Sequence, residues 1–329
     1  MLGAKLAALA RDLDDVEVQP RPLGVTSTAL ADDTNYMLQE QVSPASLGAA
    51  MLHTLRSGCR RLVLFVDGGG PVAARLAGFF SAEPAIEIRS VVGASSAPAQ
   101  REPPPVVLPG PDAAAPLIGE LADRGLEVVL EEGVWRAELL GLEVARIVRW
   151  PEETGGDGEL HIEAGVGRFD RDATAAMHGG ESAAEALDRV LSVVSAQRYE
   201  GAAGHPLCRL ARSRWLRSSA MVHPGSVGAD SLSPIESTFV ADSVREERPA
   251  AALGTTTDGE AVVTVFGAGV PLELVPIGLD VRELHAPGAL LRLVVPPRDQ
   301  LTVTEQLARA AEPALGEVEL VDLDPPWAS

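Results

Sequence analysis

The sequence predicts an α/β protein built on a mixed sheet. Three observations carry this. Runs rich in β-branched residues alternate with helical segments that show start signals. The chain has 329 residues, 46% of them apolar, enough for one large domain or two ordinary ones with a full core. A Pro-rich stretch divides it near one third of its length.

Composition removes several chemistries. Lys5 is the only lysine, so neither a Walker-type phosphate loop nor a Schiff-base site is available. Cys59 and Cys208 lie far apart and form no metal motif; each reads as a small buried hydrophobe. His205, His223 and His285 are likewise isolated. A net charge of −20 opposes general affinity for nucleic acid or anionic membrane. No apolar run approaches a membrane span. The opening MLGAKLAALARDLDD reads as an amphipathic helix through Leu2, Leu6, Leu9 and Leu13, which leaves the cytoplasm as the expected location.

Residues 1–92 read as a Rossmann-like α/β unit. Ser43 and Pro44 start a helix to about Ser57, with Leu47, Met51 and Leu55 on one face. The strand Leu62–Val66 follows, then Asp67 and the glycines Gly68, Gly69 and Gly70, a helix to Phe80, and a strand near Ile86–Val92. A strand–helix–strand order with a short crossover implies parallel pairing. The glycine turn resembles the first motif of Rossmann-type methyltransferases, which implies a nucleoside or phosphate held by backbone N–H groups. A tight strand-to-helix turn explains the same residues.

Residues 93–112 read as a semi-rigid Pro-rich linker. Residues 113–218 hold the helix Ala113–Arg124, the strand Glu127–Glu131, a central hairpin and the helix Ser182–Arg198, the last opened by a Ser182/Glu185 capping box. HPLCRLARSRWLR then reads as one helix carrying Leu207, Cys208, Ala211 and Trp215 on one face and Arg209 and Arg212 on the other. It is the only concentrated basic element and the best candidate contact for a nucleic-acid phosphate; a helix docked through Trp215 whose arginines pair with the abundant carboxylates explains the same residues. Residues 219–260 read as a loop-rich crossover. Residues 261–329 form a C-terminal α/β segment: strand Ala261–Phe266, an extended stretch Leu272–Val275, strand Leu290–Val295, a helix capped by Thr302 and Glu305, and strand Glu317–Asp322. No internal repeat stands out.

The central hairpin carries the chemistry. Leu139–Trp150 reads as one strand, with Glu143 sharing a face with Ala145 and Ile147. An acid among apolar neighbours must be paired, protonated or metal-bound. After the turn at 151–158, the strand Glu159–Ala164 points Leu160 and Ile162 one way and Glu159, His161 and Glu163 the other. Two strands with a carboxylate each, flanked by helices, resemble in layout the PD-(D/E)XK nucleases over residues 113–198. The resemblance implies a restriction-endonuclease-like core in which Glu143 and Glu163 hold Mg²⁺ or Mn²⁺ and activate water. The family's lysine position is Gly165 here, so Arg146 or Arg168 would anchor the phosphate. Arginine cannot act as a base at neutral pH. Asp170 and Asp172 offer further oxygen ligands. The whole chain also resembles an uncharacterised actinobacterial-type family, which implies no activity.

Pairing Trp150 with Glu159 would instead set Glu163 opposite Arg146 as a cross-strand ion pair. Three functions therefore stand: a divalent-metal phosphodiesterase, degenerate or active; a non-catalytic scaffold or partner-binding protein; and a methyltransferase-like nucleotide binder.

Overall fold

The computed structural model describes residues 2–80, 83–150, 158–167, 182–241, 243 and 245–328. Its strands form three sheets. The first runs β1(Arg21–Leu23), β2(Thr26–Ala31), β3(Thr34–Gln41), β4(Arg61–Gly68), β5(Ala85–Val92), β6(Ser95–Pro98) in sequential order. The second runs β10(Leu160–Ala164), β9(Leu142–Arg149), β8(Val134–Leu139), β7(Glu127–Glu131), and all three of its pairings are antiparallel. The third runs β11(Ala229–Ile235), β12(Ala250–Thr256), β13(Ala261–Phe266), β14(Leu290–Val295), β15(Val318–Asp322).

The first and third sheets repeat one plan. In the first, the helix α1(Leu2–Asp14) precedes two antiparallel pairings, β1–β2 and β2–β3. Then α2(Pro44–Arg56) and α3(Gly70–Ala77) cross over to give β3, β4 and β5 in parallel. In the third, α6(Arg212–Val222) precedes antiparallel β11–β12 and β12–β13, and α7(Leu274–His285) and α8(Thr302–Arg309) give parallel β13, β14 and β15. Topology thus repeats where no sequence repeat stands out.

Burial on both faces explains the apolar strands, as parallel crossovers require. Leu62, Leu64 and Val66 of β4 share one core with Val263 and Val265 of β13, Leu291, Leu293 and Val295 of β14, and the helices α2, α3, α7 and α8. The alternate residues Val63 and Phe65 pack with Leu6, Leu9 and Ala10 of α1. Val262 and Phe266 pack with Trp215, Leu216 and Ala220 of α6. The four crossover helices therefore lie between the two sheets, with α1 and α6 outside. The second sheet has its own core with α4(Ala115–Asp123) and α5(Ala183–Gln197).

The α/β class, the parallel N-terminal unit, α2, α4, α5, β7, β13 and β14 are as expected. Ser43 and Ser182 both cap their helices through capping boxes. Other expectations are corrected. Leu139–Trp150 is not one strand, because Leu140 and Gly141 turn with φ of 51° and 75°. A left-handed leucine carries no turn signal. Within 219–260 lie β11 and β12, whose ADSLSPI and AAALGTT are too poor in large β-branched residues to read as strands. The stretch Leu272–Val275 opens α7 instead of extending. Leu301, not Thr302, is the N-cap of α8, with no side-chain cap. Helix α3 stops at Ala77. The linker 93–112 contributes β6, paired with β5. HPLCRLARSRWLR divides into a 3₁₀ turn, Pro206–Arg209, and α6.

Candidate functional site

Strands β7, β8 and β9 place three glutamates in a row: Glu127 opposite Glu138, and Glu138 opposite Glu143. The second pairing depends on an extra residue, Val144, in β9: Ala137 pairs with Ala145 but Glu138 with Glu143. Such a bulge re-aims a side chain. It places Glu143 on the face of Glu138 and Arg136, not on that of Ala145 and Ile147. Like charges directly opposite destabilise a sheet, so the row demands cations from elsewhere.

Helix α6 supplies them. Arg214 and Arg217 stand three residues apart, on one helix face. Arg214 donates to both oxygens of Glu131 at 2.9 and 2.8 Å and also to Glu138. Arg217 reaches Glu138 Oε2 at 2.5 Å, and Arg136 reaches Glu143 at 2.7 Å and Glu131 at 3.2 Å. Glu138 and Arg217 are buried. Burial lowers the Arg214 pKa, but Glu138 and Glu131 outweigh it and hold the guanidinium well above its ordinary value. For Glu131, burial raises the pKa, yet Arg214 and Arg136 bring it below the ordinary range. Burial wins at Glu127, raising its pKa against Arg217 and the Ser218 hydroxyl; its Oε2 has no hydrogen-bond partner among the described residues.

The approach of α6 is close. A Cβ on Gly141 would fall 2.3 Å from the backbone carbon of Arg214. Around this contact Arg198, 1% exposed, donates to four carbonyl oxygens: Leu140 at 3.0 Å, Leu207 at 2.6 Å, Leu210 at 2.8 Å and Ala211 at 3.2 Å. Its guanidinium lies 4.1 Å from the Trp215 ring centroid. Burial brings the Arg198 pKa down to about 10. Glu247 completes the junction by accepting from the Arg212 and Ser213 N–H groups at 2.9 and 2.7 Å, which satisfies the start of α6.

These contacts enclose a cavity of about 800 Å³. Val190, Val193 and Val194 of α5, with Leu207 and Leu210, form an apolar wall. The opposite lining holds Arg136, Arg189, Arg214, Arg245 and Arg248 against Glu143, Glu246 and Glu247. In a chain of charge −20 this is a local excess of arginine. Val193 is 56% exposed, so apolar surface faces open space there. The volume and the mixture of walls match ligand sites in general.

The residues singled out from sequence divide around this cavity. Glu143 lines it and is bound by Arg136. Glu163 sits opposite Arg146, which donates to it at 2.6 Å, the ion pair that follows when Trp150 pairs with Glu159. Each glutamate thus answers to a different arginine. Among the described residues no group of three or more His, Cys, Asp and Glu is placed to hold a metal. Arg168, Asp170 and Asp172 lie outside the described residues. Arg209 is exposed, and Arg212 lies 5.0 Å from the Trp327 ring centroid and donates to the Cys208 carbonyl at 3.3 Å. The two do not form one basic helix face.

At the glycine turn, Lys5 holds Asp67 at 2.7 Å. Added Cβ atoms would meet Gln41 Oε1 at 2.1 Å from Gly68, the Val42 carbonyl at 2.8 Å from Gly69, and Ser90 Oγ at 2.5 Å from Gly70. Close packing by the protein's own groups thus accounts for all three glycines. Cys59 and Cys208 are buried and free, as expected. No helix among the described residues is long and apolar enough to cross a membrane.

Arg198, Arg214, Arg217, Arg245, Arg248 and Glu247 were not legible as a site. One signal was present: Glu127-x-Val129-x-Glu131 and Arg136-x-Glu138 put charge on one face of adjacent strands, which calls for a charged partner. No protein-family model, no curated protein and no solved structure matches the chain.

Proposed function

We propose that this chain is a binding protein whose ligand occupies the cavity between α5 and the start of α6. The observation that carries the reading is the cavity itself: about 800 Å³, apolar on one wall and arginine-rich on the other. Pockets of this size take organic molecules and bury most of their surface. The buried charge network and the Arg198 carbonyl cluster fix both walls before any ligand arrives, and such preorganisation lowers the entropic cost of binding. A divalent-metal phosphodiesterase has less support, since Glu143 and Glu163 are each engaged by arginine.

Titration with Nile red, a neutral apolar fluorophore, tests this. Wild type should show saturable one-site binding, and Val193→Trp, which fills the cavity from a partly exposed position, should abolish it without lowering Tm. Unchanged binding in that variant would remove the cavity as the site. Mn²⁺ in the same samples should leave Tm unchanged; a saturable rise that Glu163→Gln removes would restore the two-glutamate metal site.

A further inference from the structure

We infer that the cavity's ligand is an amphipathic anion: a single carboxylate or phosphate group on an apolar body. The inference rests on the binding reading above and adds the ligand's chemistry. Of the three lining glutamates, Glu247 is used by the first N–H groups of α6, Glu143 is bonded to Arg136, and Glu246 to Arg248. Arg136 and Arg214 are shared with Glu131 and Glu138 behind the wall. Arg245 and Arg248 are different. Both belong to the segment 245–248, which lines the cavity. Arg245 is exposed. Arg248 uses one terminal nitrogen on Glu246.

Arg248 also lines, with Glu247, a neighbouring cavity of about 160 Å³, so the residue borders both spaces. An oxyanion in the cavity would give the Arg248 head group an acceptor beside Glu246. Guanidinium forks match carboxylate and phosphate geometry. The wall of Val190, Val193, Val194, Leu207 and Leu210 offers such a ligand no polar partner along its side chains, which fits an alkyl or aryl body. A cationic head group is repelled by the arginine wall, and a neutral polar molecule gains nothing from the apolar one.

The test is displacement of Nile red from the full chain by octyl phosphate, octanoate, octanol and octyltrimethylammonium. The two anions should compete at least tenfold better than octanol or the cation, with phosphate and carboxylate separated by their relative affinities. Arg248→Gln should weaken the anions by about tenfold or more relative to octanol measured in the same variant, as loss of a charged hydrogen bond predicts. Arg245→Gln, at the rim, should cost less and mainly reduce the salt dependence. Equal competition by all four head groups, or an Arg248→Gln variant that keeps the anion preference, would overturn the inference and leave the cavity reading standing. Absence of Nile red binding in wild type would overturn both.

Discussion

The first and third sheets share a topology, yet their outer helices do different work. Helix α1 covers the first sheet through Leu6, Leu9 and Ala10, and its polar contacts stay on that sheet: the partly exposed Lys5–Asp67 pair, and Asp14, which accepts from Tyr36 and Arg61 at 2.6 and 2.7 Å. Helix α6 covers the third sheet in the same way through Trp215, Leu216 and Ala220. It also turns Arg214 and Arg217 onto the second sheet, where Glu131 and Glu138 receive them. The second sheet lies between the repeats in sequence, and its docking on one of them creates the cavity. A repeated scaffold acquires a site where an inserted element breaks its symmetry.

The largest expected effect tests that docking. Glu138→Ala would leave Arg214 and Arg217 buried against one fewer carboxylate. Breaking a buried pair costs about 3–5 kcal/mol, so urea unfolding should show a loss of that order; a loss below about 1 kcal/mol would mean the network does not anchor α6. Gly141→Ala comes next. It combines a φ of 75° with a 2.3 Å approach to α6 backbone. It should cost more than about 1 kcal/mol and weaken dye binding along with stability.

Glu127→Gln sharpens the electrostatic part. Because burial raises the Glu127 pKa, the folded state holds this proton more tightly than the unfolded chain. Its contribution to stability therefore grows as pH falls through the folded value and turns into a penalty above it. The variant should melt higher than wild type at pH 8, with the gap closing as pH falls through the raised pKa. A gap that widens on acidification would contradict the assignment. The smallest effect belongs to the first repeat: Lys5→Ala removes a partly exposed pair and should change stability by less than about 1 kcal/mol in the same urea assay.

What was legible in the sequence follows from where the information is local. Ser43 and Ser182 announced their helices because a cap is satisfied within one turn. The strands Leu62–Val66 and Leu290–Val295 showed themselves through density of large apolar residues. The turn at Leu140–Gly141 did not, because its left-handed leucine is imposed by the chain beyond it. Strands β11 and β12 did not either, since Ala, Ser, Thr and Gly pack there only because α6 and the neighbouring strands fill the space. The site was hidden for a related reason. Glu138 and Arg217 are 79 residues apart, so nothing in either segment alone shows that the charges meet. Glu143 was picked out correctly as an acid needing a partner, but Val144 moved it to the other face and Arg136 became that partner.

The central claim is that the cavity beside α5 binds ligand, and amide hydrogen exchange with and without saturating Nile red tests it most directly. Exchange should slow in residues 189–194 and 207–213, the walls of the cavity, and stay unchanged at 67–72. Protection confined to the exposed apolar run Val106, Val107 and Leu108, with none along α5, would contradict it.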